Sequence, residues 1–337
     1  MKNNLTLVFL LLLIGIIGCS TDNDSESPQE PVQEPVSEEN TIEVLKTPLE
    51  RFQGLPDYPW EPKYVTVMPY DLEMHYVEAG PADGQIVLLL HGNPNWGYGL
   101  RELIALFAEN GYHVYAPDLI GFGKSDKPVS RSVHTYDNQE AWITSFVKAL
   151  DLKEVYLHCQ DWGGLIGLRV AIENPERFKS VAISNTDLPT GDNVSETFLN
   201  WQVFSQTVPT YSFTVQSATF SPLSNAELVA FDAPFPEESY KAGPRQLPLA
   251  VPTDPNVEDA QKNSVLWEKW EQWEKPFLTI FSVDDNISPD AEKRFQERIP
   301  GAQNQPHTLL PDTGHFIRED EPEMMFELLD AFFESGQ

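Results

Sequence analysis

Residues 154–164, Glu-Val-Tyr-Leu-His-Cys-Gln-Asp-Trp-Gly-Gly, constrain this chain more than any other stretch. Glu154 to Cys159 is a short β-branched and apolar run of the kind that forms a buried strand. From Gly163 and Gly164 a helical pattern opens through Leu165, Ile166, Leu168, Val170, Ala171 and Ile172. Asp161 therefore sits on a sharp strand-to-helix turn, which holds one side chain out at the carboxyl edge of a sheet while backbone N–H groups of the helix start face the same point. A serine there suits acyl transfer, but on a saturated carbon it would leave an ether that no activated water hydrolyses. An aspartate leaves an alkyl ester, whose carbonyl water can attack in a second step. The turn thus points to displacement at saturated carbon, with a halide or an epoxide oxygen as leaving group.

The amino-terminal residues stand outside the fold. Lys2 supplies a positive start, Leu5 to Ile17 is apolar apart from Thr6 and Gly15, and Ile16-Ile17-Gly18-Cys19 puts a small residue directly before cysteine. This resembles the lipobox of bacterial lipoprotein signal peptides, and the resemblance implies cleavage before Cys19, lipidation of its thiol and a location in the cell envelope outside the cytoplasm. The alternative is an ordinary transmembrane anchor, for which the run is shorter than the about 20 residues a spanning helix needs. Residues 19–47, rich in Asp, Glu, Ser, Pro and Gln, bury too little apolar surface to order themselves and read as a disordered tether. The formal net charge of −30 makes nucleic acid a poor partner, because phosphates need neutralising cations. With only two cysteines, lipid on Cys19 leaves Cys159 alone at the end of a buried strand.

The rest of the chain alternates strands and helices. Thr66 to Met68 and Glu73 to Glu78 read as a half-exposed hairpin, Ile86 to Leu90 as a central strand, Leu100 to Ala108 as a helix, and His113 to Pro117 as a strand. Tyr136 to Leu150 is an amphipathic helix, and Ser180 to Ser184 a further strand. Gly121 and Gly123 lack the third glycine of a dinucleotide fingerprint and mark a structural turn. The loop His91-Gly92-Asn93-Pro94 and the Asp161 turn together resemble those of α/β-hydrolases, where the loop after the third strand and the residue after the nucleophile each supply one oxyanion-hole N–H. The backbone N–H groups of Asn93 and Trp162 are the donors this resemblance implies.

From Asn185 the rhythm stops, and the segment to Pro276 turns aromatic and proline-rich, with Phe198, Trp201, Phe204, Trp267, Trp270 and Trp273 among its residues. It reads as a mainly helical cap that closes a dry pocket over the reacting centre. The sheet resumes at Phe277 to Phe281; Pro289 to Ile299 is a helix, His307 to Leu310 the last strand, and Glu321 to Phe333 the closing helix. Of seven histidines, only His315 stands in a Gly-His-Phe turn beyond the last strand, and nucleophile, acid and histidine follow in the chain order of α/β-hydrolases. The expected architecture is an α/β-hydrolase fold, a mostly parallel eight-stranded sheet flanked by helices, with a helical cap after the sixth strand. Its segments are a signal peptide at 1–18, the tether at 19–47, the core at 48–185 and 276–337, and the cap at 186–275.

At this point the chain resembles a haloalkane dehalogenase, on His91-Gly92-Asn93-Pro94, Cys159-Gln160-Asp161-Trp162-Gly163-Gly164, Ala233-Pro234-Phe235-Pro236-Glu237-Glu238-Ser239-Tyr240, Phe281-Ser282-Val283-Asp284-Asp285 and Gly314-His315-Phe316. The resemblance spans about Pro48 to Gln337 and implies Asp161 as nucleophile, His315 as general base and Asp285 as its orienting acid. Two adjacent carboxylates leave Asp284 as the alternative acid. It also implies halide binding by the Trp162 indole N–H and the Asn93 side-chain amide, with Trp201 able to supplement or replace Asn93. Donors without lone pairs suit a departing halide. Substrate, water and released halide are the expected partners, the membrane enters only through a lipid on Cys19, and neither metal nor organic cofactor is required.

Two rivals remain open. An epoxide hydrolase shares the aspartate–histidine logic and needs proton donors on the epoxide oxygen, for which Tyr211 and Tyr240 are available. A surface lipoprotein that binds a small apolar ligand without catalysis needs no complete Asp161, Asp285 and His315 set.

Overall fold

Eight strands form the central sheet of the computed structural model, which describes residues 42–192 and 194–335. They are β1 (Lys63–Val67), β2 (Leu72–Ala79), β3 (Ile86–Leu90), β4 (His113–Pro117), β5 (Val155–Gln160), β6 (Phe178–Ser184), β7 (Phe277–Ser282) and β8 (Thr308–Leu310). Their spatial order is β8-β7-β6-β5-β3-β4-β2-β1. Only β2 runs antiparallel to its neighbours; every other pairing is parallel. The central strands are covered on both faces, which is why β3 and β5 read as unbroken apolar runs. The exceptions in β5 are Gln160 at its end and His158, which is buried against the Ser184 hydroxyl at 3.1 Å and kept neutral by that burial, which pulls its pKa down to about 3.

Helix α1 (Arg101–Glu109) packs on α11 (Pro322–Ser335), and α2 (Tyr136–Ala149) on α3 (Trp162–Glu173). Thr135 caps α2 by accepting the Asn138 N–H at 3.1 Å. In α3 every residue from Trp162 to Ile172 is buried, so this helix is enclosed all round, and the one charged residue of that run, Arg169, is met by Asp137, Asp259 and Asn263. The chain leaves the sheet after Ser184 and returns at Phe277, and between them lie α4 (Glu196–Ser205), α5 (Tyr211–Ser217), α6 (Asn225–Asp232), α7 (Ala242–Ala250) and α8 (Glu258–Trp270). A capping box of Ser224 and Glu227 starts α6. Glu227 also accepts a hydrogen bond from Arg101 of α1 at 2.8 Å, and the Trp96 indole donates to the Ala230 carbonyl at 3.1 Å. These bonds tie α6 to the sheet side of the molecule. After β7 come α9 (Ala291–Arg298) and α10 (Ile317–Asp320).

Three expectations change. The hairpin strand β2 is mostly buried rather than half-exposed, because it lies inside the sheet between β1 and β4 and both its faces are covered from Met74 to Val77; His75 at its middle is fully buried, with Nδ1 2.7 Å from Asp118. The tether does not run to residue 47, because Val44–Leu45 pairs with Lys127–Pro128 and the Thr47 hydroxyl donates to the Pro234 carbonyl at 2.7 Å. Apolar Ile42 and Val44 pack on the core, which is what recruits this segment. The helix expected from Pro289 begins at Ala291. The signal peptide at 1–18, Cys19 and the tether up to residue 41 lie outside the described residues. Among the described residues no helix is long and apolar enough to cross a membrane.

Candidate active site

The turn after β5 places Asp161 at φ 53° and ψ −126°, a left-handed conformation that L-residues rarely adopt and that costs of order 1–3 kcal/mol. Close packing holds it there. A Cβ on Gly163 would come within 2.4 Å of the Leu90 carbonyl oxygen, and one on Gly92 within 2.4 Å of the Asp161 side chain, so both glycines let β3, its loop and the turn approach. The Thr186 hydroxyl donates to the Asp161 carbonyl at 2.7 Å, and the Asp161 N–H donates to the Asn185 carbonyl at 3.2 Å.

The two carboxylate oxygens of Asp161 have different neighbours. Oδ1 accepts the backbone N–H of Asn93 at 2.6 Å. Oδ2 faces His315 Nε2 at 3.4 Å. Trp162, the first residue of α3, has no carbonyl four residues back within the helix, so its N–H is free by position to face the same oxyanion region. On the far side of the imidazole, His315 Nδ1 lies 3.1 Å from Asp285 Oδ2. Asp284, the alternative acid, is exposed and turned away to solvent. Burial opposes a charged imidazole, but Asp285 and Asp161 outweigh it and lift His315 to about 10. Burial likewise opposes a charged Asp285, and the imidazole beside it holds the carboxyl below the usual range.

These groups open into a cavity of about 330 Å³ under the cap. Asn93, Trp162, Phe198, Trp201 and Phe204 are among its walls, with Asp161 and His315 at one side. Neither the amide nitrogen nor the amide oxygen of Asn93, which is 4% exposed, has a hydrogen-bond partner among the described residues. Trp201 on α4 is half-buried and lines the same space. The cap aromatics therefore divide by position. Phe198, Trp201 and Phe204 meet the cavity, whereas Trp267, Trp270 and Trp273 pack with Phe277 and Phe295. Tyr211 and Tyr240, the proton donors an epoxide hydrolase would need, do not line the cavity; Tyr211 is buried against Phe235.

The structure thus gathers Asp161, His315, Asp285, Trp162, Asn93 and Trp201 around one space, from five separate stretches of chain. It adds Arg318, which no sequence motif singles out and which lies buried behind the site. The one available signal is a charged residue directly after the apolar Phe316-Ile317 pair that follows the histidine turn.

Comparison with known proteins agrees with this geometry. The family described as alpha/beta hydrolase fold matches residues 85–322. A haloalkane dehalogenase of Psychrobacter cryohalolentis is 45% identical over 297 residues, covering 86% of this chain and 98% of that protein. One from Mycolicibacterium paratuberculosis is 40% identical over 295 residues, with 86% of this chain and 98% of that protein covered. The solved structure of haloalkane dehalogenase DpaA from Paraglaciecola agarilytica superposes with a TM-score of 0.77 at 31% identity, over 86% of this chain and 97% of that one. Identity at this level, over nearly the whole length of those enzymes and joined to an aspartate on the strand–helix turn, places the chain in the haloalkane dehalogenase family, α/β hydrolases that act on carbon–halide bonds.

Proposed function

We propose that the chain hydrolyses haloalkanes to alcohol and halide through a covalent ester on Asp161. The observation that carries this reading is the asymmetry of that carboxylate. Oδ1 is already held by the Asn93 N–H, which leaves Oδ2, facing the cavity and His315, as the attacking oxygen. In the first step an Oδ2 lone pair displaces halide from carbon; the C–O bond forms as the C–halogen bond breaks, and the electron pair leaves with the halide. The Trp162 indole N–H and the Asn93 amide are the donors for the departing anion, with the Trp201 indole N–H as a further one on the cap side.

The second step follows from the charge lost in the first. Once Asp161 is an ester, one of the two carboxylates that raise His315 is neutral, and the imidazole gives up its proton more readily. Oriented through Nδ1 by Asp285, it removes a proton from water at Nε2 as the water oxygen attacks Cγ. The negative charge that develops on Oδ1 meets the N–H groups of Asn93 and Trp162. Collapse expels the alcohol, restores the carboxylate and releases one proton per turnover.

Repeated turnover of 1-bromobutane or 1,2-dibromoethane in heavy-oxygen water tests this. Label accumulates in the Asp161 carboxylate, read by peptide mass spectrometry, because Cγ takes its new oxygen from solvent in each cycle. Label found only in the alcohol would mean that water attacks carbon directly.

We further propose that the enzyme is held at the cell envelope by lipid on Cys19, supported by the apolar run Leu5 to Ile17 and the Ile16-Ile17-Gly18-Cys19 sequence. Expressed with its leader in a bacterial host fed labelled fatty acid, the protein is expected to carry the label, and Cys19→Ala to carry none. Absence of label from the parent protein, or equal labelling of the two, would remove the Cys19 anchor.

A further inference from the structure

Arg318 carries a positive charge into a region with almost no water. It is 3% exposed, on α10, three residues beyond His315. Its Nε donates to the Gly99 carbonyl at 2.6 Å and its Nη1 to Gln160 Oε1 at 2.8 Å, and both acceptors are neutral. The adjacent Glu319 is engaged elsewhere, its two oxygens accepting from Arg101 Nη1 at 3.2 and 2.9 Å. Arg318 therefore has no hydrogen-bonded carboxylate among the described residues, its Nη2 has no partner, and burial pulls its pKa down to about 10.

This guanidinium fixes the orientation of Gln160, the residue before the nucleophile. Arg318 offers only donors, so the amide oxygen must face it. The amide nitrogen is then directed at the His315 carbonyl, 3.1 Å away, and at His315 Nε2, 3.0 Å away. An amide N–H bonds to Nε2 only when that nitrogen carries a lone pair. With the ring proton on Nδ1 toward Asp285, this is the neutral imidazole, the form that takes a proton from water. Against an imidazolium the same contact sets donor against donor, and the favourable partner of the Nε2 proton is Asp161 Oδ2, 3.4 Å away.

We propose that Arg318, acting through the Gln160 amide it orients, is a positioning residue for the hydrolytic half-reaction: once Asp161 is alkylated, it holds His315 as the neutral Nδ1–H base. This rests on reading Asp161 as the nucleophile. Before alkylation the carboxylates of Asp161 and Asp285 both hold a proton on His315. Afterwards Asp285 alone does so, against the charge of Arg318. The other charged groups nearby are balanced or distant: Arg294 of α9 is paired with Asp187 on the cavity wall, and Glu319 with Arg101. His91 and His158, which also face Arg318, are held neutral by burial, at about 4 and about 3. When water gives up its proton to Nε2, the Gln160 amide retains the His315 carbonyl as acceptor, so it need not leave.

The test follows formation and decay of the Asp161 ester in single turnovers, by rapid quench and intact-protein mass spectrometry, across pH. Hydrolysis requires neutral imidazole, so its rate rises with pH to a plateau. Removing a buried positive charge or its amide relay raises the proton affinity of His315 and moves that limb upward. Arg318→Met and Gln160→Met are each expected to shift it by ~1 pH unit, making hydrolysis ~10-fold slower below the limb. Ester formation, which does not use the base, and the high-pH plateau, where His315 is already fully neutral, stay within about two-fold of the parent enzyme. Arg318→Lys, which keeps the charge, is expected to recover part of the shift. A merely structural role would slow both halves at every pH. Either variant, folded by circular dichroism, with its limb at the parent pH overturns the proposal. Should Arg318→Met not fold, Gln160→Met, of similar volume and unchanged charge, decides alone. Failure of the parent enzyme to form any ester would instead remove the nucleophile reading, a separable outcome.

Discussion

His315→Phe is expected to release one equivalent of halide and then stop. Phenylalanine fills the imidazole's space but has no Nε2 to face Oδ2 and no Nδ1 for Asp285, so attack on the haloalkane proceeds and attack by water does not. Intact-protein mass should rise by the alkyl group within the first turnover and remain there, with steady-state turnover lowered ~10⁴-fold. The substitution also leaves Asp285, whose side chain is 4% exposed, without its partner, which costs about 3 kcal/mol. The pH dependence of that loss has a defined sign. In the parent protein the depressed carboxyl of Asp285 contributes stability above the ordinary carboxylate range, lost as pH falls through its lowered value. In the variant this contribution is absent, so thermal melts of the two proteins should converge in acid and separate toward neutral pH. A variant that turns over normally, or that never gains mass, contradicts the two-step scheme.

Asp161→Asn is expected to abolish both steps, with halide release down at least ~10⁴-fold and no adduct in mass spectra with any haloalkane. Asparagine keeps the shape and can still accept the Asn93 N–H, so the turn should survive. What changes is the charge facing the imidazole. Burial still opposes the imidazolium and Asp285 still favours it, but the Asp161 contribution is gone, so the His315 titration moves down from about 10. Nitrogen-15 NMR of the ring reads this directly. An unchanged midpoint would show that Asp161 does not act on His315, and the link between alkylation and release of the base would fail with it.

Asp161 and His315, on which both predictions turn, stand out in the amino-acid sequence. The Asp161 turn is legible there because strand, turn and helix are local: apolar β-branched residues, a pair of glycines and a helical repeat follow one another within 20 positions. The central strands β3 and β4 lie at the limits their residues suggest, since continuous burial writes itself as a continuous apolar run. The burial of β2 is not legible, because its alternating residues look half-exposed until the fold covers both faces and His75 finds Asp118. The end of the tether is hidden for a similar reason. Val44 and Leu45 gain order only from Lys127 and Pro128, more than 80 residues away in sequence.

The site divides along the same line. Asp161 and His315 stand in turns that announce themselves, whereas of the two adjacent carboxylates Asp284 and Asp285 the sequence favours the second by resemblance alone, and the physical difference appears only where one is exposed to solvent and the other lies against Nδ1. No local pattern separates cavity aromatics such as Trp201 from packing aromatics such as Trp267, because a tryptophan carries the same apolar surface in either place. Arg318 is the extreme case: its meaning depends on Gly99, Gln160 and the engagement of Glu319 by Arg101, contacts that span more than 200 residues. By itself the sequence determined which chemistry stands on the strand–helix turn, since covalent reactivity belongs to the side chain. The tertiary structure alone decided which neighbours set the charge on that chemistry, since fields and hydrogen bonds act through space and fall off with distance.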